Sequence, residues 1–165
     1  MDGWKHAIIR LILNAQLNKV MPLLALATFL AQNHRRGRRL VRQRVGQQAF
    51  RHAMLDYWGG TCAVTGVAVP QALRASHAKA WALCATDAER LDVCNGFLLS
   101  ANLDALFDAY LVTFLPGGEL VVSPAVPARA RVQLGMAPDL RLRWLDERHQ
   151  PYLAFHRSQC GWLNE

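Results

Sequence analysis

His77, Asn95, Asp104 and Asp108 stand toward the two largely apolar ends of a stretch from Ala75 to Asp108, whose middle is a polar connector, Thr86 to Arg90. Asn95 follows His77 by eighteen positions, Asp104 comes nine later and Asp108 four after that. Polar groups in apolar surroundings are costly unless they are hydrogen-bonded, paired or bound to a metal. On a helix, residues four apart share a face, so Asp104 and Asp108 can point at one spot. Two carboxylates so placed repel each other unless a cation lies between them, and hard oxygen donors suit magnesium, manganese or calcium better than a thiolate-seeking metal. An imidazole near its neutral form takes a proton from water more readily near pH 7 than any other side chain. An asparagine can fasten the connecting loop or orient the imidazole. With the base on a strand and the metal on a helix, the chemistry is hydrolysis of a phosphodiester: the histidine activates water, and the cation polarises the phosphate and stabilises the departing oxygen.

The elements that must position these groups can be read from the pattern. Ala75 to Trp81 is expected to be extended, Asp87 to Leu91 a turn or short helix, and Phe97 to Leu99 a second short strand. Asn102 to Tyr110 is expected to be a helix that Ser100 or Asn102 can cap. Upstream, Gln47 to Trp58 reads as a helix with Phe50, Met54, Leu55 and Trp58 on one side, ended by Gly59-Gly60. Cys62 to Val64 reads as a short strand closed by Thr65-Gly66, and Pro70 to Arg74 as a helical turn. Downstream, Leu111 to Leu115 and Glu119 to Ser123 flank Pro116-Gly117-Gly118 as a hairpin. Pro124 to Pro138 is proline-broken and partly helical, and Arg141 to Leu145 is a short strand or helix start. Pro151 opens a last helix that runs to Gln159. Residues 4 to 32 read as one or two helices, with Ile8, Ile9, Ile12, Leu13 and Leu17 forming an approximate stripe that Pro22 breaks.

At 165 residues the chain is one domain, 41–165, with an appended N-terminal extension and basic arm, 1–40. An apolar content of 52% excludes wholesale disorder. The formal charge of +7 favours a polyanion, nucleic acid before an acidic membrane. Arginines crowd the run from His34 to Arg44 too densely to be buried. Arg42 and Arg44 can therefore lie along phosphates, or remain a solvated arm. Arg74 and Lys79 flank the histidine as phosphate clamps, with plain solvent exposure as the alternative. None of Cys62, Cys84, Cys94 and Cys160 forms a C-x-x-C pair, which disfavours a zinc knuckle and suits buried free thiols in a reducing cytoplasm. Val20 to Asn33, the longest uncharged stretch near the start, is too short to span a bilayer, so no membrane association is expected. A homodimer is compatible with all of this.

The residues also resemble a family. Cys-Ala-Val-Thr-Gly at 62 to 66, Leu-Arg-Ala-Ser-His at 73 to 77, Arg-Leu-Asp-Val-Cys-Asn-Gly-Phe-Leu-Leu at 90 to 99 and Leu-Asp-Ala-Leu-Phe-Asp at 103 to 108 are similar to an HNH endonuclease domain of the bacterial restriction type. Flanking pieces at 44 to 51 and 152 to 157 extend the likeness over roughly Arg42 to Arg157. The resemblance implies an α+β fold with a ββα-metal (His-Me finger) core, flanked by helices and followed by a C-terminal hairpin and helix. It implies DNA as substrate and a divalent metal, magnesium first and manganese next. His77 takes the place of the general base, Asn95 that of the middle asparagine and Asp104 that of the third-letter ligand. Asp108 is either a second ligand or a helix-packing residue.

This chain departs from the pattern at Ser76, where many members carry an acidic or histidine ligand. It departs again at Ala78 and Ala80, where relatives read Ser-His-Ile-Lys-Pro-Trp, and at Cys94. The loss of an isoleucine and a proline at Ala78 and Ala80 should loosen the segment that bears the base. Those replacements motivate a second reading, a weakened or inactive relative that still grips DNA. A third, a helical partner-binding protein, rests on residues 1 to 32 alone.

Overall fold

The computed structural model describes residue 41 and residues 43–164. The chain divides into two units, Met1–Val45 and Gly46–Glu165, and the elements that carry the site belong to the second. The helices expected over residues 4 to 32, and the basic arm through residue 40 with Arg42, lie outside the described residues.

The second unit opens with a helix over residues 46–57, α1. Phe50, Met54 and the following Trp58 recur every four positions and all three are buried, so the helix turns one apolar stripe to the core. Gly59 and Gly60 then take left-handed angles, φ 61° and 68°, and the Gly60 N–H closes on the Leu55 carbonyl at 2.7 Å. Glycine adopts that conformation with the least steric cost.

Cys62 to Val64, expected as a strand, is part of a tight turn. The Cys62 N–H donates to Val67 O at 2.9 Å and the Gly66 N–H to Cys62 O at 3.1 Å, while the Cys62 sulfur receives the Thr65 N–H at 3.4 Å. Local closure uses the groups a strand would need for pairing. Ala63 N–H still reaches Leu98 O, at 2.7 Å, and docks the turn on the sheet.

That sheet is an antiparallel pair, β1 (Leu73–His77) against β2 (Gly96–Ser100), with Leu73 opposite Ser100 and His77 opposite Gly96. All five β2 residues are buried, as a strand covered on both faces must be. Between the two strands come single turns at Trp81–Leu83 and Val93–Asn95 and the short helix α2 (Asp87–Leu91), whose first turn is capped by the Thr86 hydroxyl accepting from Glu89 N–H at 3.2 Å. The extended run expected to Trp81 stops at His77, because the Lys79 N–H is taken by the Asn95 side-chain oxygen rather than by a neighbouring strand. Helix α3 (Ala101–Asp108) follows β2 directly, and buries Leu103 and Phe107.

A second antiparallel pair joins β3 (Val112–Phe114) to β4 (Leu120–Val122). Beyond it lie α4 (Ala128–Gln133) and α5 (Gln150–Gln159), with Pro151 in the first turn of α5. Arg141 makes only an isolated bridge to Glu119. Phe97 sits at the middle of the core, edge-on to Phe107 at 5.9 Å and stacked on His149 at 5.4 Å. The architecture is α+β with two small antiparallel sheets. Among the described residues no helix is long and apolar enough to cross a membrane.

Candidate active site

The β1–β2–α3 run brings His77, Asp104 and Asp108 to one cleft of about 480 Å³. His77 ends β1, and the two aspartates lie one turn apart on α3, the helix that leaves β2. Because His77 pairs with Gly96, the spacing of imidazole and carboxylates is set by strand register and not by a loop. Gly96 makes that register reachable: a Cβ there would lie 2.1 Å from the Ser76 carbonyl oxygen and 3.0 Å from Phe50. A larger groove of about 650 Å³ runs along Asp139 to Leu145 but lacks a histidine-plus-carboxylate set.

The His77 ring is held from three sides. Phe50 of α1 stacks on it with centroids 3.8 Å apart, and Trp81 meets it edge-on at 5.6 Å. Its Nε2 lies 2.9 Å from the Arg90 carbonyl. A carbonyl can only accept, so Nε2 carries the proton, and in the neutral ring Nδ1 is left with the lone pair. Burial pushes the imidazole below its usual range, and the bond to Arg90 opposes this only in part. At pH 7 the ring is therefore neutral, with a basic nitrogen that has no protein partner among the described residues.

Asn95 does not line the cleft. It is fully buried and its side chain fastens the loop between the strands. Its Oδ1 accepts from Lys79 N–H at 2.8 Å. Its Nδ2 donates to Lys79 O at 3.2 Å, to Glu89 O at 3.0 Å and to the Cys84 sulfur at 3.3 Å. Of the two roles open to it in the sequence, holding the loop and orienting the imidazole, only the first involves direct contact. The second is reached through the loop, since Arg90, which holds the ring, is the neighbour of Glu89.

The carboxylates occupy distinct environments. Asp104 accepts a short hydrogen bond from the Ser76 hydroxyl. Asp108 is pushed up to about 6, by burial first and by the charge of Asp104 second. A carboxylate made to retain a proton near pH 6, by burial first and by a second carboxylate next, marks a place where a cation can replace that proton. Among the described residues no three His, Cys, Asp or Glu side chains cluster as a protein cage for a metal. Magnesium is commonly held by one or two carboxylates completed by substrate phosphate, and this donor set fits that manner of binding. Asp104 and Asp108 would hold the ion, with Ser76 orienting the first of them.

The basic residues separate. Arg74 is exposed at the cleft and donates to the Gln71 and Leu73 carbonyls, both at 3.0 Å. Lys79 is paired with Glu89 at 2.5 Å, lies over Phe155 and is absent from the cleft lining. Arg44 is exposed in a helical segment, and Arg42 lies outside the described residues. His149 and His156 are buried in the core. His156 stands between Thr113 Oγ1 at 2.8 Å and Phe107 O at 3.0 Å, and burial first of all lowers it to about 4.

Three contributors escape a reading of residue types. Arg90 acts through its backbone carbonyl, which no side-chain pattern reveals. Its guanidinium also secures the loop, reaching Trp81 O at 3.1 Å and Cys84 O more closely. Phe50 belongs to an apolar helix stripe that reads simply as packing. Arg51, one residue on, lines the cleft, and its proximity to Arg74 depends on a contact 22 residues apart in sequence.

Residues 62–115 match the model of the HNH endonuclease family. The matched segment runs from the Cys62 turn to just past β3 and contains His77, Asn95, Asp104 and Asp108. That likeness points to nuclease action on DNA. No curated protein matches the chain.

Proposed function

We propose that this domain hydrolyses DNA phosphodiester bonds, with His77 as general base and a divalent cation, magnesium or manganese, held by Asp104 and Asp108. The observation that carries the reading is the tie from His77 Nε2 to Arg90 O. It leaves Nδ1 as the basic atom, in the same cleft as the carboxylate pair. His77 Nδ1 takes a proton from water as the water oxygen bonds to phosphorus and the bond from phosphorus to the leaving sugar oxygen breaks. When bound, the cation supplies positive charge to the phosphate oxygens and to the departing oxygen. Phe50 and Trp81 shield the ring from bulk water and keep it neutral, while Ser76 holds Asp104 in place.

The alternative, a relative that binds DNA without cutting it, draws on Ala78 and Ala80. The local bonds argue against a loose base-bearing segment. Ala78 is buried and its N–H donates to Asn95 O at 3.0 Å, and Lys79 is held at both backbone groups by the Asn95 side chain. All four cysteines are free and buried thiols, in keeping with a reducing, cytoplasmic setting. The reading is tested by nicking of supercoiled plasmid with magnesium or manganese. Wild type should cut and Asp104→Ala should not; a wild type that shifts DNA but never cuts with either ion would favour the non-cleaving relative.

A further inference from the structure

Two guanidinium groups converge on one backbone oxygen at the rim of the cleft. Arg51 Nη1, from α1, donates to Leu73 O at 2.8 Å, and Arg74 Nη1, from β1, donates to the same oxygen at 3.0 Å. The two nitrogens therefore lie within about 6 Å of each other, since each is bonded to the same atom. Neither side chain has a carboxylate partner among the described residues. Like charges held so close without an acid between them repel, and the arrangement persists at lower cost when an anion joins them.

Both groups are fixed rather than free. Arg51 Nη2 also donates to Pro70 O at 2.7 Å, and Arg74 Nη1 to Gln71 O at 3.0 Å. These anchors do not exhaust the five donors of each guanidinium. Among the described residues Nε and Nη2 of Arg74 have no partner, and they form the edge that makes a two-pronged contact to phosphate. Arg51 and Arg74 line the same cleft as His77, Asp104 and Asp108, so the basic pair and the carboxylate pair share one cavity. Arg74 precedes His77 by three residues, about 10 Å of strand, which places its charge away from the base.

We propose that Arg51 and Arg74 together form a seat for one phosphate of the DNA strand, flanking the phosphate that reacts. The seat rests on the DNA reading above and deepens it: it fixes where the strand lies relative to His77. Arg51 thereby acquires a binding role, beside the structural one of pinning the entry to β1.

The test measures binding of full-length protein to a labelled duplex, with a chelator present so that nothing is cut, from 50 to 200 mM KCl. One neutralised phosphate contributes a slope of about −0.9 in log affinity against log salt, or about a 3.5-fold change over that range. Arg74→Gln should lower affinity and flatten the slope by about that amount. Arg51→Gln with Arg74→Gln should flatten it no further, because one anion is shared. Arg51→Lys, which keeps the charge, should keep the slope; a slope lost with lysine as well would make Arg51 structural only. A slope unchanged in Arg74→Gln, or flattened by twice the single amount in the double variant, overturns the shared seat. Cleavage by wild type is scored separately: protein that binds with the predicted slopes but never cuts would refute the nuclease and leave the seat standing, while variants that cut and bind as wild type would do the reverse.

Discussion

Replacing Asn95 with alanine should damage stability more than its distance from the cleft suggests. The side chain is fully buried and makes four hydrogen bonds, to both backbone groups of Lys79, to Glu89 O and to the Cys84 sulfur. Alanine would leave one N–H and two carbonyls without their partner. A buried polar group left unsatisfied costs about 1–3 kcal/mol. Lys79 and Glu89 are partly exposed, so water can serve some of the orphaned groups and the lower figure applies. Three groups at about 1 kcal/mol give a loss of about 3 kcal/mol. For a domain of this size that lowers the melting temperature by about 10–15 °C. The same loop carries Arg90 O, so His77 would lose its orientation, and a displacement of about 1 Å can cost 100-fold in rate. Asn95→Asp sharpens the test. It keeps an acceptor for Lys79 N–H but sets carboxylate oxygen against the Lys79 and Glu89 carbonyls, so it should not rescue. Thermal unfolding and urea titration, followed by nicking at a temperature where the variant is folded, read both effects. An alanine variant that melts within about 2 °C of wild type and cuts at the same rate would refute the loop-fastening account.

Other perturbations reach the site from different directions. Ser76→Ala removes the hydroxyl that donates to Asp104; partners of this kind tune ligands, so metal affinity measured by calorimetry should fall about 10–100-fold with the fold unchanged, and equal affinity would exclude the role. Gly96→Ala places a Cβ 2.1 Å from the Ser76 carbonyl. It should lose at least about 1–3 kcal/mol by overpacking along with most activity, whereas normal melting and cutting would show that the strand pair can yield there. Asp108 has a folded pKa of about 6, above the value near 3.9 expected in an unfolded chain. Through this group the folded state binds more protons between about pH 4 and 6, so the contribution of Asp108 to metal-free stability is lost as pH rises through that window, while His156, lowered to about 4, contributes in the opposite sense. Stabilisation by magnesium should in turn be greater at pH 7 than at pH 5, and Asp108→Asn should remove the Asp108 contribution to both, so that wild type and variant diverge across this window. A difference in melting temperature between wild type and Asp108→Asn that does not change with pH across this window would contradict the assignment.

Much of the site can be read from residue types, and what cannot has a physical cause. Asp104 and Asp108 announce themselves by helical spacing, and His77 by its place in a short extended run ahead of them. Ser76 reads as a weak ligand, yet its hydroxyl serves Asp104 from 28 positions away, a relation created by the β1–β2 register. Arg90 matters to His77 through a carbonyl that every residue possesses. Arg51 and Arg74 meet only because α1 packs beside the start of β1. The Cys62 turn shows the same limit at the level of secondary structure. Its three apolar residues are as suitable for a strand as those of β2, and it is the bonds to Val67 and Thr65 that decide. Side-chain chemistry and short periodicities are legible in a linear chain; contacts made by backbone atoms or across long separations appear only on folding.

The central claim is that His77, held through Arg90, is the base of a metal-dependent nuclease. Nicking of supercoiled plasmid by wild type and by His77→Ala, each shown to be folded by its melting curve, tests it most directly. Loss of a general base removes about 100- to 10,000-fold in rate, so with magnesium or manganese the wild type should convert plasmid to open circles while the variant does not. Equal cleavage by the two proteins would contradict the account.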